Sequence, residues 1–216
     1  MKFDLSFIPS YRCNLRCWFC MYKCSINKMD ELDTEKAVEF INRVPLSKIN
    51  RFGLYGGEIS IDYPLYQKFI DILPKGRKRF TITNGSWSLS KKRTIVFINF
   101  IARNSIWAKV SSTPEHIKYQ NRRVLLRLQE FLPHRIYIKE VDDTEHRLLP
   151  MGRLSDLPFS CTMKCIRAKD PYRIAMRPDG KVIFQSCDGV YPIVGCWKDS
   201  LSDIELEVKR IINKVI

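Results

Sequence analysis

No part of this 216-residue sequence is apolar for long enough to cross a bilayer. Its most apolar run, over 94–108, is interrupted by Asn99, Arg103 and Asn104. It falls short of the ~20 residues a spanning helix needs. The first ten residues hold a single lysine in an alternating pattern, without the apolar block or small-residue cleavage site of a secretory signal. Internal repeats and low-complexity tracts are also missing. Acidic residues are scarce: 23 Asp and Glu stand against 37 Lys and Arg, a net charge of +14. Eight cysteines are too few for a small disulfide scaffold and too many to dismiss. These absences describe a cytoplasmic protein with no membrane partner, in a compartment that keeps thiols reduced and open to metal. What is present suffices for a core. An apolar share of 45% excludes a disordered chain, and the length predicts one domain, or one domain with a small appendage.

A β/α alternation runs through the first two thirds. Strands are predicted over 2–9, 50–55, 79–83, 106–111 and 135–141. Between them fall helices over 34–43, with Asp33 as N-cap and Glu35 in the first turn, over 63–73 ending at Pro74, over 91–103, and over 115–131 ending before Pro133. Such units with short links predict parallel strands joined by right-handed crossovers. A closed eight-unit barrel takes ~250 residues. The expectation is therefore an α/β fold, a partial (β/α) TIM-like barrel of five to six parallel strands over residues 1–145. Residues 146–216 are read as a small Cys-rich extension of a β-hairpin plus a helix. Its strands, over 172–177 and 181–186, flank the turn Pro178-Asp179-Gly180. Ser200 caps a terminal helix whose expected buried stripe is Leu201, Ile204, Leu206, Val208, Ile211 and Ile212.

In parallel α/β folds chemistry sits at the carboxyl ends of strands. Four clusters fall there: a cysteine loop after the first strand, Gly56-Gly57-Glu58 after the second, Asn84-Gly85 after the third, and Ser111-Ser112 at the fourth. The loop spells C-x3-C-x2-C with Cys13, Cys17 and Cys20. A structural zinc takes four protein ligands, and a zinc knuckle borrowing Cys24 is one reading. An iron–sulfur cluster on three thiolates is the other, and it leaves one iron open to an exogenous ligand. Taken alone, Gly56-Gly57 is an ordinary strand-ending turn and Glu58 a solvated carboxylate. A second group, Cys161, Cys165, Cys187 and Cys196, reads as a four-thiol centre, a structural zinc or plain buried thiols.

Taken together, the triplet, the aromatic Phe19 before its last cysteine, Gly-Gly-Glu after the second strand, Thr83-Asn84-Gly85 after the third and Ser111 ending the fourth resemble the radical SAM superfamily over roughly residues 2–141. The resemblance implies a 4Fe-4S cluster held by Cys13, Cys17 and Cys20. S-adenosylmethionine (SAM) would be chelated at the open iron and an external one-electron reductant would drive its cleavage. Phe19, Gly56, Gly57, Glu58, Asn84 and Ser111 would line the cofactor. Glu58 would pair with the methionine ammonium, and Asn84 and Ser111 would meet ribose or carboxylate. The stretch 174–204 resembles the SPASM/twitch extension of such enzymes, implying a second, auxiliary 4Fe-4S cluster on Cys161, Cys165, Cys187 and Cys196. The implied product of SAM cleavage is a 5′-deoxyadenosyl radical that takes hydrogen from a substrate.

Between Lys75 and Arg147 sixteen basic residues meet six acidic ones. Aromatic residues (Phe80, Trp87, Tyr119, Phe131) interleave with them, a pattern suited to phosphate neutralisation. The leading expectation is a nucleic acid substrate, with a modified nucleobase rearranged or modified in DNA or RNA. Small size and charge are similar in type to compact phage-encoded enzymes that rearrange hypermodified thymidine, whose setting would be the host cytoplasm. One alternative is a SPASM/twitch peptide or protein maturase. It is disfavoured because many of those carry a peptide-recognition domain ahead of the barrel, for which the position of Cys13 leaves no room. The other alternative is a zinc-stabilised nucleic-acid-binding module, which leaves the Gly-Gly-Glu motif idle. A monomer is expected. The catalytic hydrogen donor or acceptor is unassigned, with Tyr55, Lys139, Glu140 and Cys24 as candidates.

Overall fold

Six strands lie parallel in one sheet, and the described helices between them cover one face. The computed structural model describes residues 1–140, 171–185 and 192–215. In chain order they form β1 (Phe3–Phe7), α1 (Thr34–Arg43), β2 (Ile49–Leu54), α2 (Tyr63–Ile72), β3 (Arg79–Thr83), α3 (Lys91–Arg103), β4 (Ile106–Ser112), α4 (Pro114–Ile117), α5 (Arg122–Phe131), β5 (Ile136–Glu140), β6 (Tyr172–Met176), β7 (Lys181–Phe184), β8 (Ile193–Cys196) and α6 (Leu201–Val215). The sheet order is β5-β4-β3-β2-β1-β6-β7-β8. Strands β5 through β6 pair in parallel. Strands β7 and β8 add antiparallel. This is the expected α/β partial barrel, and the sheet does not close. The sixth parallel strand is the first arm of the hairpin: β6 sits in register against β1, with Leu5 opposite Ile174. The hairpin thus continues the same sheet.

Local chemistry sets most boundaries. Asp33 caps α1 by accepting from the Glu35 amide, and Ala37, Phe40 and Ile41 form its buried stripe. Asp62 caps α2, with Pro64 in its first turn. Ser200 and Asp203 cap α6 reciprocally: the Asp203 amide donates to the Ser200 hydroxyl, and the Ser200 amide to the Asp203 carboxylate. Two expectations need correction. Leu206 is 51% exposed, so it is not part of the α6 stripe of Leu201, Ile204, Val208 and Ile212. It lies two residues from both Ile204 and Val208, off the i, i+4 row. The single helix expected over 115–131 is two helices, because buried Gln120 leaves helical geometry to donate to the carbonyls of Asn84 and Ser111, both at 2.6 Å. Asn121 then caps α5 by accepting from the Val124 amide.

Strand alternation sorts the side chains onto two faces. Phe3, Leu5, Phe7, Phe52, Leu54, Ala108, Val110, Ile136, Ile174 and Met176 point to the helices and make the main core with Phe40, Phe69, Phe97, Val208 and their neighbours. The opposite, concave face has a much smaller apolar set, Ile8, Tyr55, Phe80, Ala175 and Ile183. A sheet face left without helices and rich in polar groups is the one available to a ligand.

At the amino ends of the central strands, the covered Glu205 carboxylate gathers Lys48, Lys209 and the amino terminus. The Lys48 hydrogen bond, first among the causes, holds it down to about 2. A depressed carboxyl stabilises the fold above its ordinary value and loses that contribution as pH falls toward 2. The two lysines are substantially exposed, so solvent screens the pairs. Glu205→Gln is expected to lower stability by about 1 kcal/mol at neutral pH and by distinctly less near pH 2, measured by urea unfolding at both.

Candidate active site

The cysteine loop is fastened at both ends. Leu32 donates to the Pro9 carbonyl at 2.8 Å, and Cys13 donates to the Ser25 carbonyl at 3.1 Å. Its middle rests on the Gly-Gly-Glu turn: Gly57 donates to the Ser10 carbonyl at 2.8 Å and Glu58 to that of Arg12 at 2.9 Å. Gly56 has φ +130°, a region that disfavours other residues, and a Cβ on Gly57 would stand 1.9 Å from the Arg12 carbonyl oxygen. The close approach these glycines permit is, first of all, that of the chain's own cysteine loop.

Glu58 is 2% exposed and burial raises its carboxyl above the usual range. One oxygen accepts from the Thr83 hydroxyl (2.7 Å) and the Ser60 amide (3.1 Å), the other from the Asn84 amide (2.7 Å). It is a brace between the ends of β2 and β3. Asn84 in turn directs its side-chain N–H groups at Asn14 Oδ1 (3.0 Å) and Cys13 Sγ (3.7 Å). Expected to meet ribose or carboxylate of SAM, this amide is committed to the loop that carries the cysteines.

Each sulfur of the triplet meets a nitrogen. Cys13 Sγ accepts from the Leu15 amide (3.4 Å), Cys20 Sγ accepts from the Cys24 amide (3.3 Å), and Cys17 Sγ lies 3.6 Å from His116 Nε2. Such N–H···S contacts stabilise thiolates and tune clusters. Burial pushes the free Cys13 thiol up to about 12, so a bound cation is needed to draw off its proton. Cys24 is different: it is 2% exposed and its thiol donates to the Gly56 carbonyl at 3.0 Å, which requires a protonated sulfur. That bond opposes Cys24 as a fourth zinc ligand. Among the described residues no three Cys, His, Asp or Glu side chains are gathered tightly enough to hold a single ion. The triplet instead lines a cavity of about 340 Å³, shared with Phe19, Gly56, Gly57, Glu58, Asn84 and Ser111. Three thiols around a space of that size fit a group larger than one ion.

Sequence reasoning missed several lining residues. His116, on the one-turn α4, packs edge-on against Phe19 at 5.6 Å and places Nδ1 2.8 Å from the Thr113 hydroxyl. Burial lowers it to about 4, so it is neutral near pH 7. Lys109, Arg173, Gln185 and Tyr22 also face the cavity, with Tyr55, which was a candidate. The alternation of Ile106–Ser112 could have found Lys109, since it shares a face with Ser111. The other candidates scatter. Lys139 stands on β5 opposite Ser111. Glu140 ends β5. Cys196 ends β8, where its amide donates to Asp199. Cys161, Cys165 and Cys187 lie outside the described residues.

The basic stretches part to opposite ends of the barrel. Lys91, Lys92 and Arg93 start α3, and Arg122 and Arg123 start α5, both at the carboxyl-end rim of the strands. Lys75, Arg77 and Lys78 precede β3 at the other end, where Arg79 donates to the carbonyls of Leu73, Pro74 and Asn104. Among the described residues no helix is long and apolar enough to cross a membrane.

The open parallel sheet carries a three-cysteine loop and a Gly-Gly-Glu turn at its carboxyl rim. Residues 7–97 match the family model described as Radical SAM superfamily. Over 84 residues the chain is 31% identical to a putative peptide biosynthesis protein, YydG, of Bacillus subtilis (strain 168). That stretch is 38% of this chain and 26% of the relative, so the match spans about a quarter of the relative's length. Among solved structures, a histidine-tagged anSMEcpe with bound AdoMet aligns with 100% of this chain and 84% of its own at TM-score 0.62 and 14% identity. Native anSMEcpe with bound AdoMet and Cp18Cys peptide aligns over 98% and 83% at TM-score 0.51 and 12% identity. The family model covers residues 7–97, less than half of this chain, and the solved structures share the fold of this chain.

Proposed function

We propose that this chain is a radical SAM enzyme acting on a peptide or protein. The observation that carries the reading is the convergence of Cys13, Cys17 and Cys20 with Gly57, Glu58, Asn84 and Ser111 on one cavity at the strands' carboxyl ends. The donor set fits a 4Fe-4S cluster with three protein ligands. When bound, cluster and SAM supply reductive cleavage of the sulfonium C5′–S bond, giving methionine and a 5′-deoxyadenosyl radical that takes a substrate hydrogen. The chain's own residues position these groups. The Leu15, Cys24, Asn84 and His116 nitrogens orient the sulfurs. Glu58 uses three of about four acceptor sites on neighbours, which leaves one for the methionine ammonium. Ser111 offers its hydroxyl from the rim, and Phe19 with His116 shields one side from water.

A peptide is preferred to a nucleobase on two supports: YydG is described as a peptide biosynthesis protein, and one solved neighbour was captured with a peptide. The nucleic acid reading is favoured by one observation, the basic starts of α3 and α5 beside the rim. The proposal extends to an auxiliary 4Fe-4S cluster on Cys161, Cys165, Cys187 and Cys196, for which anaerobic reconstitution should load about eight irons per chain. The test of the reading is incubation with SAM and a one-electron reductant under anaerobic conditions. 5′-Deoxyadenosine and methionine should accumulate; intact SAM alongside a loaded cluster contradicts the reading.

A further inference from the structure

The concave face carries charge to which no role has been given above. Alternation along β4 turns Trp107, Lys109 and Ser111 inward, and along β6 it turns Arg173 and Ala175 inward. Lys109 and Arg173 line the same cavity as the three thiols, and also the smaller recess beneath it with Ser6, Arg51, Tyr55 and Trp107. The carboxylates at hand are already taken. Asp4 accepts from Arg51 at 2.7 and 2.8 Å and from Asn50 at 2.8 Å. Glu58 is engaged by Ser60, Thr83 and Asn84. Among the described residues no carboxylate pairs with Lys109, Arg173 or Lys139. Lys109 therefore faces the like charges of Lys139, Arg173 and Arg51, and burial with that repulsion pushes its ammonium down to about 8. Among the described residues Lys109, Arg173 and Lys139 gather without a carboxylate partner, and an incoming anion relieves their mutual repulsion.

The surrounding groups are fixed. Arg51 stacks on Phe80 at 4.8 Å, and Phe80 on Trp107 at 5.3 Å. The Tyr55 hydroxyl donates to Gln185 Oε1 at 2.6 Å, and Gln185 Nε2 donates to the Tyr22 hydroxyl at 2.7 Å. Arginine's planar fork suits a carboxylate bidentately, and lysine adds a point charge. We propose that the cavity selects peptides by a carboxylate seated between Lys109 and Arg173, with the thiol triplet at the same cavity's rim. The proposal rests on the peptide reading and names its substrate class: a peptide with an acidic side chain, or its terminal carboxylate, next to the reacting residue.

The test uses the full chain, anaerobically reconstituted, at ~0.15 M salt. The probes are fluorescein-labelled glycine–alanine decapeptides: one with a central glutamate and amidated terminus, its glutamine counterpart, and the glutamine peptide with a free carboxyl terminus. Anisotropy should show one or both carboxylate peptides binding about tenfold or more tighter than the amidated glutamine peptide; which one responds identifies the source. Lys109→Met and Arg173→Met should each abolish that preference, while Lys109→Arg keeps it. Lys91→Met, removing equal charge from exposed α3, should leave it intact. If Lys109→Met fails to fold, Arg173→Met bears the comparison alone. Equal binding of all three peptides overturns the proposal. So does a preference that survives both Met variants or falls equally with Lys91→Met, and so does binding of a single-stranded oligonucleotide with none of the peptides. SAM binding is measured separately by equilibrium dialysis. Its loss with the preference intact defeats the radical SAM reading and spares the carboxylate site; its retention without the preference does the reverse.

Discussion

Replacing Cys17 with alanine is expected to abolish 5′-deoxyadenosine formation. Cys17 is 8% exposed, and His116 Nε2 lies against its sulfur at 3.6 Å. With it gone, two thiols of the triplet remain, and among the described residues the remaining thiol of the loop, Cys24, is turned to the Gly56 carbonyl. Losing a group that only orients a metal ligand lowers affinity or activity by ~10–100-fold; losing the ligand itself should exceed that range. The variant is checked by iron and sulfide content together with 5′-deoxyadenosine yield. Cys24→Ser is the control: a hydroxyl still donates to Gly56, so cluster content should match the parent. Equal loss in both variants would reassign Cys24 to the ligand set and revive the four-thiolate zinc reading.

Gly57→Ala should be nearly as damaging through sterics alone. The added carbon would stand 1.9 Å from the Arg12 carbonyl oxygen, 2.7 Å from its carbon and 2.9 Å from its amide nitrogen. All are backbone, so no side chain can swing aside. The loop must lift from the turn and lose the hydrogen bonds from Gly57 to Ser10 and from Glu58 to Arg12. About 3 kcal/mol of stability should go, the upper part of the overpacking range. Cluster loading should fall with it, since the loop carries all three thiols. Gly76→Ala is the comparison: nothing lies within 4 Å of its Cβ position, and only φ +75° opposes it. A loss of about 1 kcal/mol is expected there. Denaturant midpoints and the cluster's visible absorption separate the two.

Much of this was legible along the chain because it is local. The α1 boundaries follow from Asp33 and the spacing of Ala37, Phe40 and Ile41. The end of β3 follows from a strand closed by Asn84-Gly85. The cysteine triplet and the Gly-Gly-Glu turn carry their own chemistry. What stayed hidden is non-local. Gln120 breaks a helix because it reaches carbonyls 36 and 9 residues away. The Pro178-Asp179-Gly180 turn predicts a hairpin but says nothing of β6 pairing with β1 across the chain. A lone histidine after Thr113-Pro114 gives no sign that it will rest on Cys17. Alternation puts Lys109 on the face of Ser111, and only the helices covering the other face show that this face lines the cavity.

The most direct test is the electron paramagnetic resonance of the reduced, reconstituted protein with and without SAM. A reduced 4Fe-4S signal whose g-values shift when SAM is added is the predicted result, since only an iron without a protein ligand can accept the amino and carboxylate groups. A signal that SAM leaves unchanged, or anaerobically prepared protein holding zinc and no iron, contradicts it.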